Sequence, residues 1–270
     1  MVASKKKAGD GTESVYAMSI KKRSRFRGLD TNGKRYSDQQ AMWSAEVGDS
    51  ADVERRGELG WYQKAKEYWT NVEPTVDGML GGLGKLSDLD VRTSTGFIRS
   101  LEKVEFDGIA LDVGGGIGRV SKHLLLPLFS RVDILESNQA YLEESKEYIG
   151  DPRLERRICA GMEDFSPETG RYSLIWIQWC IIYLTDADLV RFFKSCTAAV
   201  KPGGFVILKD NVCNTGFVVD KEDSSVTRSE QYLMELFAEA GVEVITSKLQ
   251  GDFPEHLFPV KMFALRAKGP

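Results

Sequence analysis

A chain of 270 residues, 42% hydrophobic and 28% charged, can bury one large core and carry an appendage, a composition ordinary for a soluble globular protein. The net charge of −4 is unevenly spread: residues 1–57 hold 12 Lys and Arg against 8 Asp and Glu, which leaves 58–270 at about −8. An acidic body repels nucleic acid and favours a cationic substrate, and the longest apolar run, 174–184, is interrupted by Gln178 and too short to cross a bilayer, so neither nucleic acid nor membrane is an expected partner.

Residues 1–57 are polar, without a sustained hydrophobic period, and read as a flexible basic extension. The clusters Lys5–Lys7 and 21–27 suit a nuclear address or a solvated arm, and Trp43 is the large apolar residue there able to dock on the body. A single domain is expected over 58–270, with N-terminal helices and a Gly-rich loop over 58–105 and an α/β core over 106–270. In Gly60–Trp69, the residues Trp61, Tyr62, Ala65, Tyr68 and Trp69 fall at helical spacing and make an aromatic face. Pro74 ends that helix. Segment 76–84 sets Met79, Leu80 and Leu83 among four glycines and reads as a lid, since core segments do not carry that backbone entropy. A helix over 93–101 then leads into the first strand of the core.

That strand, Ile109–Val113, is a continuous apolar run broken by Asp112, as a buried parallel strand requires. It ends in Gly114, Gly116 and Gly118, where the absence of Cβ lets a flat or anionic group lie against the backbone, and a helix carrying Arg119, Val120 and Leu124–Leu126 follows. The dinucleotide fingerprint G-x-G-x-x-G is not met, because Arg119 and Ser121 stand where its third glycine would. About twenty residues on, Val132–Glu136 reads as a second strand whose terminal acid suits two ribose hydroxyls. Helix and strand then alternate: helix 138–149, strand 154–159, strand 172–179, helix 186–200, a sharp turn at Lys201-Pro-Gly-Gly204, and strand 205–209. Thr227-Arg-Ser-Glu230 has the capping-box pattern and is expected to start a helix to Ala240, with strands 242–248 and 260–266 closing the sheet.

Ligands bind at the carboxyl edge of such a sheet, where Met162 and Glu163 follow the third strand, Gln178 and Trp179 the fourth, and Asn211 the fifth. With the presumed cap at Thr227, the group Asp220, Asp223 and Ser225 is left for a ligand. Four cysteines without a C-x-x-C pair, accompanied only by His123 and His256, make a metal site unexpected and an intracellular location, nucleus or cytoplasm, the expected one.

Tyr68-Trp69, Pro74–Gly82, Leu111–Arg119, Leu124–Phe129, Ile175–Trp179, Lys209–Asn211, Asp223–Ser225 and Phe263–Arg266 together resemble the eukaryotic protein N-terminal (α-N) methyltransferases, over about residues 60–267. The resemblance implies a Rossmann-like class I methyltransferase fold, α/β with a seven-stranded, mostly parallel sheet, helices on both faces and an N-terminal helical lid. It implies S-adenosyl-L-methionine as cofactor, S-adenosyl-L-homocysteine as product, and transfer of methyl to the free α-amine of proteins beginning X-Pro-Lys. Carried across, Gly114, Gly116, Arg119, Glu136, Met162, Glu163 and Gln178 hold the cofactor. Tyr68, Trp69, Leu80, Trp179, Asn211, Asp220, Asp223, Ser225, Leu257 and Phe258 line the peptide channel. The sequence departs from the family at Tyr183, where His is usual, at Glu136, where Asp is usual, and in residues 1–57, for which the core family has no counterpart.

Methyl transfer from a sulfonium is an in-line displacement that needs alignment and a neutral amine. An α-amine, with a pKa of about 7.7–8.0, gives up its proton at pH 7 for about 1–1.4 kcal/mol, whereas a lysine ε-amine needs more than about 4 kcal/mol. A weak base suffices, so Asp223 is assigned as proton acceptor, and Tyr183, a poor base at pH 7, as a group that orients the amine or passes its proton through water. A small-molecule amine N-methyltransferase, an RNA methyltransferase guided by the basic extension, and a non-catalytic protein keeping the fold are the competing readings. The acidic body and the absence of an Asn-Pro-Pro-Tyr-type turn weigh against RNA.

Overall fold

The computed structural model describes residues 25–48 and 51–269, with the backbone alone for 51–58. The described chain begins with folded structure, where the sequence led us to expect a flexible arm. Gly28–Asp30 (β1) and Arg35–Tyr36 (β2) form an antiparallel hairpin, followed by Gln39–Glu46 (α1). Local chemistry explains it. Asp30 Oδ1 accepts the Asn32 and Lys34 N–H groups (3.0 and 2.9 Å) and closes the turn, and Asp38 caps α1 through the Ala41 N–H (2.9 Å). Phe26, Tyr36, Met42, Trp43 and Val47 are all buried. Trp43 docks as expected, edge-on to Trp61 with ring centroids 5.3 Å apart. The clusters Lys5–Lys7 and 21–24 lie outside the described residues.

Ala51–Thr70 (α2) buries the Trp61, Tyr62 and Ala65 face and leaves Tyr68 and Trp69 half-exposed. The Gly-rich segment is more ordered than a lid of loop: Thr75 caps a short helix, Val76–Met79 (α3), and Ser87–Arg99 (α4) begins six residues before the expected start.

Ile109–Val113 (β3), Arg131–Glu136 (β4), Leu154–Cys159 (β5), Tyr172–Gln178 (β6) and Val200–Asn211 (β7) are parallel. Phe217–Asp220 (β8) and Ser225–Arg228 (β9) belong elsewhere, and Val242–Leu249 (β10) and Val260–Ala267 (β11) join the edge antiparallel. The seven-stranded order is β10-β11-β7-β6-β3-β4-β5, the doubly wound sheet expected. Alternate residues feed two cores. Leu111, Ile175, Ile177, Val206 and Leu208 pack with Asp186–Ala199 (α6) and Glu230–Glu239 (α7), while Ala110, Trp176, Phe205 and Ile207 pack with Phe97 and Ile98 of α4 and Leu124–Leu126. Gln139–Ile149 (α5) packs on β4 and β5.

Three local expectations are revised. Lys201–Gly204 loops out within β7, opposite Ser173, instead of ending the strand connection in a sharp turn. The segment after the glycine loop is a π turn over Ser121–Leu125, anchored where the Ser121 N–H and hydroxyl both donate to Asp112 Oδ2 (2.8 and 2.7 Å). Thr227 lies in β9, paired with Val218, and the cap of α7 is Ser229, whose hydroxyl accepts the Tyr232 N–H. Strands β8 and β9 complete a second sheet, β2-β1-β8-β9, which the sequence pattern did not reveal.

Candidate active site

The carboxyl ends of β3, β4, β6 and β7 meet in one cavity of about 670 Å³. At the end of β3, Gly114, Gly116 and Gly118 have φ of +62°, +54° and +87°, and a Cβ on Gly116 would stand 2.7 Å from the Met79 sulfur. Glu136, at the end of β4, accepts the Gly116 N–H (2.9 Å) and the Asn138 N–H (2.8 Å), so the acid and the glycine loop hold each other in place. Burial pushes the Glu136 carboxyl up against those hydrogen bonds.

Arg119 is buried, paired with Asp90 at 2.9 Å, and its guanidinium lies 5.8 Å from the centre of the Trp179 ring. Asp90 on α4 also meets the fully buried Lys209 ammonium at 2.5 Å and accepts both Gln178 amide contacts (2.9 and 3.0 Å). Burial works to raise the Asp90 carboxyl, but Lys209 and Arg119 outweigh it and hold it below the usual range. Two cations against one anion leave this buried cluster net positive. The sequence reading assigned no role to Asp90 or Lys209. A charged residue ending the apolar run Phe205–Leu208 was the available signal for Lys209, whereas nothing local marks Asp90. Gln178 lines the cavity, but its amide is committed: Nε2 to Asp90 and Oε1 to Trp176 Nε1 (2.9 Å).

Much of the remaining lining is aromatic. Trp69 and Tyr183 stand edge to face with centroids 6.3 Å apart, Tyr68 packs edge-on to Trp69 (5.6 Å), and Trp179 takes a φ of +53°. Trp61 Nε1 donates to the Tyr183 carbonyl (2.7 Å), fixing the turn that bears it. The Tyr183 hydroxyl donates to Asp223 Oδ2 at 3.1 Å, Oδ1 is buried, and the Ser225 hydroxyl and N–H face the carboxyl. Burial pushes the Asp223 carboxyl up, and neighbouring Asp220 adds to it, while burial drives the Tyr183 phenol well above its ordinary value and keeps it neutral.

The cavity gathers Gly114, Gly116, Arg119, Glu136, Met162, Glu163 and Gln178, and with them Trp69, Leu80, Trp179, Tyr183, Asn211, Leu257 and Phe258. Tyr68, Asp220, Asp223 and Ser225 are not on its lining. Asp223 meets it through Tyr183, and Ser225 is buried in β9 opposite Asp220. Across the mouth, Lys66 of α2 pairs with Glu163 at 3.5 Å.

A family model described as AdoMet dependent proline di-methyltransferase matches residues 58–266. The alpha N-terminal protein methyltransferase 1 of Arabidopsis thaliana is 38% identical over 256 residues, covering 90% of this chain and 92% of its own. The N-terminal Xaa-Pro-Lys N-methyltransferase 1 of Danio rerio is 42% identical over 215 residues, covering 77% of this chain and 96% of its own. The solved structure of a SAM-dependent methyltransferase from Leishmania major superposes with a TM-score of 0.85 at 43% identity, over 91% of this chain and 98% of that one. Residues 58–270 make up 213 of the 270, less than 90%, so the plant alignment reaches into 1–57. Part of that segment therefore has a counterpart, against the expectation that it has none.

Proposed function

The chain belongs to the AdoMet-dependent proline di-methyltransferase family, with alpha N-terminal protein methyltransferases among its close relatives, and on that footing we propose how its cavity works. It is an S-adenosylmethionine-dependent N-terminal protein methyltransferase. The substrate we assign to it is the free α-amine of a protein beginning Xaa-Pro-Lys, the sequence carried in the name of the Danio rerio relative.

The residues present fit the cofactor. Gly114 and Gly116 line the cavity at positive φ, a conformation side chains rarely adopt, and so bring bare backbone to its wall. Glu136 would take the ribose hydroxyls, the net positive Arg119–Asp90–Lys209 cluster the carboxylate, and Met162 and Glu163 the base. When bound, the cofactor supplies an electrophilic methyl group on a sulfonium.

The chain's own part is to bind, orient and deprotonate. The Asp223 carboxyl, desolvated behind the aromatic lining and joined to the cavity by the Tyr183 hydroxyl, is the observation that carries the reading. Desolvation raises the basicity of this carboxylate, and the Tyr183 hydroxyl, which lines the cavity and donates to Oδ2, orients it at the edge of the amine site. Tyr183 therefore orients, and a neutral phenol in the place of His costs the mechanism nothing it needs. Trp69 and Trp179 offer flat faces to the proline ring, Asn211 a backbone contact, and Asp220 a partner for the lysine. Tyr68, Ser225, Leu80, Leu257 and Phe258 complete the channel. Four free cysteines fit a reducing compartment, and we place the enzyme in the nucleus or cytoplasm. The −8 balance of 58–270 makes nucleic acid an improbable partner.

Mass spectrometry of a Ser-Pro-Lys hexapeptide, with an N-acetylated control, tests the assignment. Methylation of the free peptide alone is expected. Methylation of the acetylated peptide at lysine, or competition by phosphoethanolamine but not by peptide, overturns it.

A further inference from the structure

The turn that carries Asp223 is held from outside the methyltransferase sheet. Strand β8, ending at Asp220, pairs parallel to β1 (Gly28↔Phe217, Leu29↔Val218, Asp30↔Val219). The contact continues past the strands: the Thr31 N–H donates to the Val219 carbonyl (2.9 Å), and the Lys221 N–H to Thr31 Oγ1 (3.1 Å). The Lys221 ammonium then meets Glu46, at the end of α1, while its carbonyl accepts from Lys64 of α2. Asp223 follows two residues later.

Glu46 is itself built in. Its side chain is 7% exposed and accepts from the Tyr36 hydroxyl (2.9 Å), which also lies 3.1 Å from Asp30 Oδ2. Two buried carboxylates thus share one phenol, and Lys221 brings a cation to them. A desolvated acid pair of this kind stabilises the fold only while its cation is in place. Such an arrangement fixes where Lys221 sits more firmly than a solvent-exposed ion pair can. Strands β3 and β4, which position Gly116 and Glu136, belong to the other sheet.

We propose that Glu46 and Lys221 are positioning residues for Asp223: the N-terminal cap, 25–48, anchors the acidic turn against Tyr183 and so belongs to the peptide-binding apparatus. The proposal rests on Asp223 being the group that receives the amine proton.

In the full-length chain, Glu46→Gln and Lys221→Met, singly and together, are assayed for peptide kcat and KM and for S-adenosylhomocysteine Kd. Each single variant is expected to lose about tenfold or more in kcat/KM, as misplacement of a reacting group does. The double variant loses no more than the worse single, cofactor affinity stays within about twofold, and Glu46→Gln has almost no further effect on Asp223→Asn. Lys221→Met, at a more exposed side chain, carries the test if Glu46→Gln fails to fold. Near-wild-type kcat/KM, a loss matched by lost cofactor affinity, or a full effect persisting in Asp223→Asn overturns the proposal. If Asp223→Asn is crippled and the cap variants are not, the positioning role alone is wrong. If Asp223→Asn turns over like wild type, the base assignment falls first and this inference with it.

Discussion

Single residues in this molecule carry charge where a hydrophobic core offers little to solvate it. Asp210, fully buried at the end of β7, accepts the Asn211 N–H (2.8 Å) through Oδ1, and the Ile181 and Cys180 backbone and Arg228 only partly offset its desolvation. Burial pushes its carboxyl up to about 7, and that of Asp112 to about 6. An acid whose pKa is raised on folding adds stability that is complete below its unfolded value, near 3.9, and is lost as pH rises through the folded value. Stability is therefore expected to fall from pH 5 to pH 8, with Asp210 contributing on the order of 3 kcal/mol. Asp210→Asn removes that share, so the difference in Tm between the two pH values should shrink; a difference as large as in wild type contradicts it. At this scale the sequence was legible where chemistry is local. The glycine loop with Glu136 needs only neighbours along the chain. The Asp90–Lys209 pair joins residues 119 apart, and no period in either segment announces the other.

Elements follow the same division. Strands β3, β4, β6 and β7 of the main sheet were readable as buried apolar runs, while β5, β10 and β11, more exposed or antiparallel, were legible from their place in the strand–helix alternation. Strands β1, β2, β8 and β9 were not: they span two to four residues, and β1 pairs with a partner about 190 positions away. The misplaced cap of α7 has the same origin. Thr227-Arg-Ser-Glu230 satisfies the capping pattern, yet pairing of Thr227 with Val218 claims it for β9, and Ser229 takes the cap. Ser229→Ala is expected to cost about 1 kcal/mol in urea unfolding and Ser229→Gly only a few tenths. Equal losses from both would show that Ser229 acts by packing and does not cap the helix.

The whole molecule is two sheets sharing one task. The seven-stranded sheet presents the glycine loop, Glu136 and Arg119 at its carboxyl edge, and the turn between β8 and β9 of the four-stranded sheet brings Asp223 to Tyr183. The fused cores bury Trp43, Trp61, Tyr232 and Phe26 together with β3 and β6, so the cap and the catalytic body are one packed unit. We propose that the desolvated Asp223 carboxyl, in the turn between β8 and β9, receives the proton of a chain terminus aligned by the larger sheet. Asp223→Asn tests it most directly, with peptide kcat and S-adenosylhomocysteine Kd measured on the same preparation. The expected result is a kcat lower by about a hundredfold or more, the usual loss of a general base, with the Kd within about twofold of wild type. Parallel losses in both, or a kcat that survives the substitution, would contradict it.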